Sequence, residues 1–128
     1  MTMTVTITTE PEFLRAVVGG DFALADAKSN FAEILEAVGQ HGSRKVLFDA
    51  RNVVGEPTTA QRFEYGVFVA QASAALERRL AFKPKFAYVM QLPVLDQRRL
   101  GEITAVNRGM HVRAFDNLDD ALRWLGVS

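Results

Sequence analysis

Val46-Leu47-Phe48 is a short, wholly apolar run, and it predicts a strand that is covered on both faces of a sheet. Residues 86–90 form a second run of this kind, and residues 111–115 predict a further, shorter strand. Segments with helical periodicity separate these runs. Strands that alternate with helices favour a mostly parallel sheet joined by right-handed crossovers.

The N-terminal region has a different pattern. Residues 4–8 alternate between polar and apolar side chains, are rich in β-branched residues and predict a strand. Residues 13–18 predict a second strand, which we expect to stop at Gly19-Gly20. Because the two strands are close in sequence, a hairpin is the simplest pairing.

Four segments have apolar residues at helical spacing. The first ends near Gly39 or Gly42, the second begins at Thr58 or Thr59, and the fourth has Asn117 as a candidate N-cap. We expect a loop over residues 49–57, before the second helix. The predicted helices cover residues 24–38, 58–80, 95–108 and 118–125.

Length and composition limit the possible classes of protein. The chain has 128 residues and predicts one domain over residues 1–128. Its 15 basic and 15 acidic residues balance, which argues against nucleic-acid binding, and it contains no cysteine. Residues 1–9 do not resemble a signal peptide, and no apolar stretch reaches the roughly 20 residues that a transmembrane helix needs. We therefore expect a cytoplasmic protein.

Five segments carry a resemblance to a known family: KVLFDAR at 45–51, RFEYG at 62–66, FAYV at 86–89, VRAFD at 112–116 and ALRWL at 121–125. With the element order, they resemble the STAS domain and most closely its SpoIIAA-like branch, which is related to lipid-binding SEC14-type domains. The resemblance implies an α/β fold of order ββαβαβαβα, with an N-terminal β-hairpin, a mixed, mostly parallel sheet and four helices.

The resemblance also implies a role without catalysis, namely regulation through contact with a protein partner or with a second copy of the chain. The alternative that it implies is a small carrier or sensor of an apolar, lipid-like ligand. Such a carrier predicts a cavity of about 300 Å³ or more, lined by Phe and Leu.

Regulatory members of the family carry a phosphorylatable serine in an Asp-Ser-Ser-Gly-like turn that starts a helix. The matching region here is residues 55–59, where the serines and the following glycine are missing. Thr58 and Thr59 are the candidate phospho-acceptors, because a helix N-terminus favours a phosphate. The alternative is that one of them is a plain N-cap.

Polar residues follow the predicted strands at the edge where open α/β sheets bind ligands. Asp49, Arg51, Glu56 and Asp116 are therefore candidates for a rim that contacts a ligand or partner. The alternative is structural, with Asp49 and Arg51 as an ion pair that fixes a loop and Asp116 as a carboxylate at a helix start.

The long second helix has two apolar stripes, whereas a helix lying on a sheet needs only one. The second stripe is the candidate apolar interface, and it faces another helix of the chain, a second subunit or an apolar ligand. Its residues are Tyr65, Phe68, Val69, Ala72 and Leu76.

Neither histidine, His41 or His111, has a partner at metal-ligand spacing or a place in a recognisable catalytic triad. The serines lack the strand-turn-helix context of a nucleophile elbow, and no glycine-rich phosphate loop is present. We therefore expect no catalytic residues, no metal and no cofactor.

Overall fold

The computed structural model describes residues 3–127, so residues 1, 2 and 128 of the predicted domain lie outside the described residues. Within this range the chain begins with the expected hairpin. Strand β1 (Thr4–Thr9) pairs antiparallel with β2 (Leu14–Asp21), with Val5 opposite Val18. Val5 and Ile7 pack against the main core, whereas Thr4, Thr6 and Thr8 are exposed, as the alternation predicts.

The five strands form one mixed sheet in the order β1-β2-β3-β4-β5, and every pair after the hairpin is parallel. The element order ββαβαβαβα is the predicted one. The remaining elements are β3 (Lys45–Val54), β4 (Lys85–Val89), β5 (Val112–Phe115), α1 (Leu24–His41), α2 (Thr59–Glu77), α3 (Leu100–Asn107) and α4 (Leu118–Leu125).

The helices are divided unequally between the two faces of the sheet. Three helices, α1, α2 and α3, cover one face and build the main core around Phe31, which is fully buried and lies 5.7 Å from Phe86 between ring centres. Of the elements within residues 3–127, α4 alone covers the other face, where Ala121 and Leu125 pack on Leu47. The wholly apolar run in β3 is explained by this arrangement, because its residues are covered from both sides.

Two strands are longer than expected. β2 does not stop at Gly19-Gly20 but runs to Asp21, and β3 does not give way to a loop at Asp49 but continues to Val54. The predicted end of β2 at Gly19-Gly20 and the predicted loop from Asp49 were both wrong for one reason. The two strands stay paired through a register shift between Val17 and Gly19, and the added Cβ of any other residue at Gly19 would lie 3.3 Å from that of Asn52.

The third helix is shorter than expected, since α3 begins at Leu100 and not near residue 95. The Asp96 carboxylate accepts hydrogen bonds from the backbone N–H groups of Arg98 (3.2 Å) and Leu100 (2.9 Å). Arg99 adopts a left-handed conformation with a φ of 54°, which interrupts any helix. Residues 90–99 therefore form a connecting segment, which we call the β4–α3 loop.

The end of α1 and the start of α4 follow ordinary capping rules. Gly42 ends α1 in a left-handed conformation with a φ of 63°, and the Asn117 side chain accepts a hydrogen bond from the backbone N–H of Asp120 at the start of α4. Within residues 3–127, no helix is both long enough and apolar enough to span a bilayer.

Candidate functional site

Asp49 and Arg51, two residues of the expected rim, are joined in a bidentate ion pair. Arg51 Nη2 lies 2.7 Å from Asp49 Oδ2, and Arg51 Nε donates to Asp49 Oδ1 at 2.9 Å. Burial alone would raise the pKa of Asp49, but the hydrogen bonds from the Arg51 side chain and backbone outweigh it, so the pKa is lowered. The pair thus satisfies the buried carboxylate, as its structural interpretation requires.

The other two rim residues lie apart from this pair. Glu56 lines an open cleft of about 450 Å³ at the start of α2, beside Arg62 and Arg98. Asp116 is exposed, and its carbonyl oxygen accepts a hydrogen bond from Gln91 at 3.4 Å. Among the described residues, no hydrogen bond or ion pair connects Glu56 or Asp116 with Asp49 or Arg51.

Thr58 is the N-cap of α2 and forms a capping box with Gln61. The Thr58 hydroxyl accepts from the Gln61 backbone N–H at 3.1 Å, and the Gln61 side chain accepts from the Thr58 backbone N–H at 2.9 Å. Thr58 and Thr59 are both exposed. Their phosphorylation stays a prediction.

The expected apolar interface on α2 lies largely inside the domain. Val69 and Leu76 are 2% and 5% exposed, and Phe68 and Ala72 are partly buried. Helix α1 covers this stripe. An added Cβ at Gly39 of α1 would lie 3.4 Å from the Leu76 side chain. Of the three alternatives, the stripe therefore faces another helix of the chain, because the sheet is wide enough for α1 and α2 to lie side by side and to bury the stripe between them.

A different apolar surface is open to solvent. Phe63 on α2 is 47% exposed, and Ile103 and Val106 on α3 are 49% and 46% exposed. The Arg108 guanidinium lies over the Phe63 ring, 5.3 Å from its centre. Phe63, Ile103, Val106 and Arg108 are called the α2–α3 surface below.

The two helices that carry this surface are in close contact. At Gly66 on α2, an added Cβ would lie 2.7 Å from the Gly101 carbonyl oxygen and 2.9 Å from the Thr104 Cβ. Glycine is therefore required at this crossing. The close crossing fixes the position of α3 relative to α2, and with it the α2–α3 surface.

An apolar cavity of about 120 Å³ lies between the core face of the sheet, α2, α3 and the β4–α3 loop. Its lining includes residues from the carboxyl ends of β3 and β5, where ligands bind in open α/β sheets. The lining residues used below are Phe48, Tyr65, Val69, Tyr88 and Ala114.

Two tyrosines supply polar atoms to this apolar lining. The hydroxyl oxygens of Tyr65 and Tyr88 lie 2.8 Å apart, and the Tyr88 ring stacks on Phe48 with 4.2 Å between ring centres. Burial raises the pKa of Tyr65, and burial together with the neighbouring Tyr65 raises that of Tyr88. Both hydroxyls are therefore protonated and uncharged at neutral pH.

Arg62 holds the β4–α3 loop against the cavity. Its guanidinium donates to the carbonyl oxygens of Val94 and Pro93, each at 2.7 Å. Arg99 donates to the Ala114 carbonyl oxygen at 2.5 Å and pairs with Glu102 at 3.0 Å. These contacts position the outer wall of the cavity.

Sequence reasoning did not identify the tyrosine pair or Arg62 as parts of one site. One signal was present, since Tyr88 stands within an apolar strand that predicts burial on both faces, and a buried tyrosine hydroxyl requires a hydrogen-bond partner. Among residues 3–127, no group of three or more His, Cys, Asp or Glu side chains is placed to hold a metal ion.

Comparisons with known proteins identify the fold. An anti-sigma factor antagonist from Mycobacterium paratuberculosis is similar over 98% of this chain and 95% of its own, with 18% sequence identity and a TM-score of 0.62. An uncharacterized protein with a SpoIIAA-like fold from Shewanella loihica is similar over 97% of this chain and 93% of its own, with 16% identity and a TM-score of 0.48. Neither a protein-family model nor a curated protein matches the sequence. The fold expected from the resemblance to STAS and SpoIIAA-like domains is confirmed.

Proposed function

We propose that this protein is a non-enzymatic regulatory domain of the cytoplasm that binds a protein partner through the α2–α3 surface. The observation that carries the proposal is the exposure of Phe63, Ile103 and Val106 on two helices in direct contact. Large exposed apolar side chains that occur together mark interaction sites, whereas single ones are ordinary.

The composition of this surface favours a protein as the partner. Aromatic residues and arginine are enriched at the centres of protein interfaces, and here Arg108 stacks on Phe63. The anti-sigma factor antagonist that shares the fold acts, by its name, on another protein. That likeness supports a partner of this kind without identifying it.

The test is affinity capture from a lysate of the source organism, with quantitative mass spectrometry of what is bound. We compare the unaltered protein with Phe63→Glu and Ile103→Glu. The matched control is Val54→Glu, because Val54 is 54% exposed and lies at the end of β3. We expect the unaltered protein and the Val54→Glu control to bind one partner protein in near-equal amounts. We expect Phe63→Glu and Ile103→Glu not to bind it. Identical captured sets from all four proteins would contradict the proposal.

A second copy of the chain is the other partner that fits an apolar surface of this kind. Light scattering over a range of concentrations tests it. A dimer of the unaltered protein that Phe63→Glu dissociates would make this surface a homodimer interface. A monomer at all concentrations would leave a different protein as the partner.

A second candidate function, the binding of an apolar small molecule, is favoured by the cavity between the sheet and α2. Its volume of about 120 Å³ is less than the 300 Å³ or so expected for a drug-sized ligand or lipid carrier. We therefore propose that any such ligand is small. Native mass spectrometry of the purified protein tests for it, and a bound mass that disappears on denaturation is the expected result.

A further inference from the structure

The volume of the apolar cavity limits the size of the ligand that it can hold. Its volume is about 120 Å³. An engineered cavity in another protein, of roughly 150 Å³, binds benzene and is only somewhat larger. A single small ring fits such a volume, whereas a long acyl chain does not.

The charged residues that line the cavity balance, since Arg62 and Arg99 are positive and Asp96 and Glu102 are negative. Arg62 is bonded to two backbone carbonyl groups, and Arg99 is paired with Glu102. The Asp96 carboxylate accepts from two backbone N–H groups. Because these side chains already have hydrogen-bond partners and their charges balance, an ionic ligand would lose its hydration without gaining a free counter-charge. The ligand is therefore uncharged.

The tyrosine pair provides one specific polar contact. Two hydroxyl groups carry two hydrogens, but the bond between Tyr65 and Tyr88 uses only one of them. In the described part of the chain, neither hydroxyl has another hydrogen-bond partner. One O–H donor beside the cavity is thus left without an acceptor, and a ligand oxygen can accept from it.

From these observations we infer that the cavity binds a small, uncharged ring compound with a single oxygen, of the size of phenol, and that the Tyr65–Tyr88 hydroxyl pair recognises the oxygen. This inference rests on the second candidate function and names its class of ligand. The rings of Phe48 and Tyr88, both in the lining, supply the apolar contact.

The test compares two probes of similar shape, phenol and toluene, by calorimetric titration of the unaltered protein and of the double variant Tyr65→Phe/Tyr88→Phe. The double variant removes both hydroxyls and leaves neither one unpartnered. The preference for phenol is measured as the dissociation constant of toluene divided by that of phenol. We expect this ratio to be about tenfold smaller in the double variant, because the variant lacks one buried hydrogen bond to the phenol oxygen.

Ala50→Val narrows the cavity from β3 and is expected to weaken both probes, whereas Ala75→Val, at an exposed position on α2, changes neither. Thermal melting checks that each variant is folded. If the double variant binds both probes with an unchanged preference for phenol, the tyrosine pair does not recognise the oxygen. That result would overturn the role of the tyrosine pair but not the apolar binding site. Failure of the unaltered protein to bind either probe would overturn the second candidate function as well.

Discussion

The hydroxyl groups of Tyr65 on α2 and Tyr88 on β4 lie 2.8 Å apart, and both side chains line the same apolar cavity. Removing either hydroxyl leaves the other without its partner in an apolar environment. We expect Tyr65→Phe and Tyr88→Phe each to lower the free energy of unfolding by about 1–3 kcal/mol. The double variant is expected to lose clearly less than the sum of the two, because it leaves no unpaired group. Urea unfolding of the four proteins measures this coupling, and strictly additive losses would contradict it.

Gly66 and Gly39 are both helical glycines, but they differ in their surroundings. A Cβ at Gly66 would lie 2.7 Å from a backbone oxygen of α3, whereas at Gly39 it would make only an ordinary contact of 3.4 Å with Leu76. Gly66→Ala is therefore expected to lower the free energy of unfolding by about 1–3 kcal/mol. Gly39→Ala serves as the control and is expected to raise it by about 0.5–1 kcal/mol, because alanine favours the helix. Equal effects at both positions, measured by urea unfolding, would show that α2 and α3 do not cross so closely.

Arg51 lowers the pKa of Asp49, so the ion pair makes stability depend on pH. A carboxylate whose folded pKa lies below the usual 3.8 contributes stability above that value and loses it as the pH falls through the folded pKa. Arg51→Ala removes the side-chain hydrogen bonds and the charge of Arg51, whereas burial and the backbone hydrogen bond remain, so we expect the pKa of Asp49 to rise. We expect the variant to be less stable than the unaltered protein by about 1–3 kcal/mol at neutral pH.

This difference in stability is expected to narrow as the pH falls through the raised pKa of Asp49 in the variant, and to go on narrowing until the pH reaches the lowered pKa of Asp49 in the unaltered protein. Thermal unfolding of both proteins over a series of pH values measures it. A difference that stays constant from neutral to acid pH would show that Arg51 does not act through the Asp49 carboxylate.

Thr58 and Thr59 are adjacent and exposed, but only Thr58 caps α2. We expect Thr58→Ala to lower the free energy of unfolding by about 1 kcal/mol, since it removes the bond to the Gln61 backbone. Thr59→Ala is the matched control and is expected to change it by less than about 0.5 kcal/mol. Chemical denaturation compares the two, and the reverse order would contradict the capping box.

The order of the elements could be predicted from the sequence because each helix and strand has its own periodicity. The extension of β3 beyond Asp49 could not, since Asp49, Arg51 and Asn52 are polar and resemble a loop when considered alone. Phe48 and Ala50 alternate, and a register shift returns Val53 to the same core, which becomes visible only when β2 is paired alongside.

The candidate site was less predictable than the fold. Helical spacing marks the apolar residues of α2, but which of them are covered depends on where α1 lies, and periodicity within one helix contains no such information. The cavity likewise arises from segments far apart in the chain, and residues 95–99 of the β4–α3 loop that closes it were expected to be helical. Sites built by distant segments depend on packing distances that local sequence patterns do not contain.

The absence of cysteine from the sequence allows a direct measurement on the α2–α3 surface. Single variants Ile103→Cys and Val54→Cys place one thiol on that surface and one at the end of β3. We expect alkylation of the cysteine at 103 to be several-fold slower in a lysate of the source organism than in the purified protein, while that at 54 proceeds at the same rate in both. The ratio of the alkylation rate at 103 to that at 54 is therefore expected to fall in the lysate. The same ratio in the lysate and in the purified protein would contradict a protein partner on this surface.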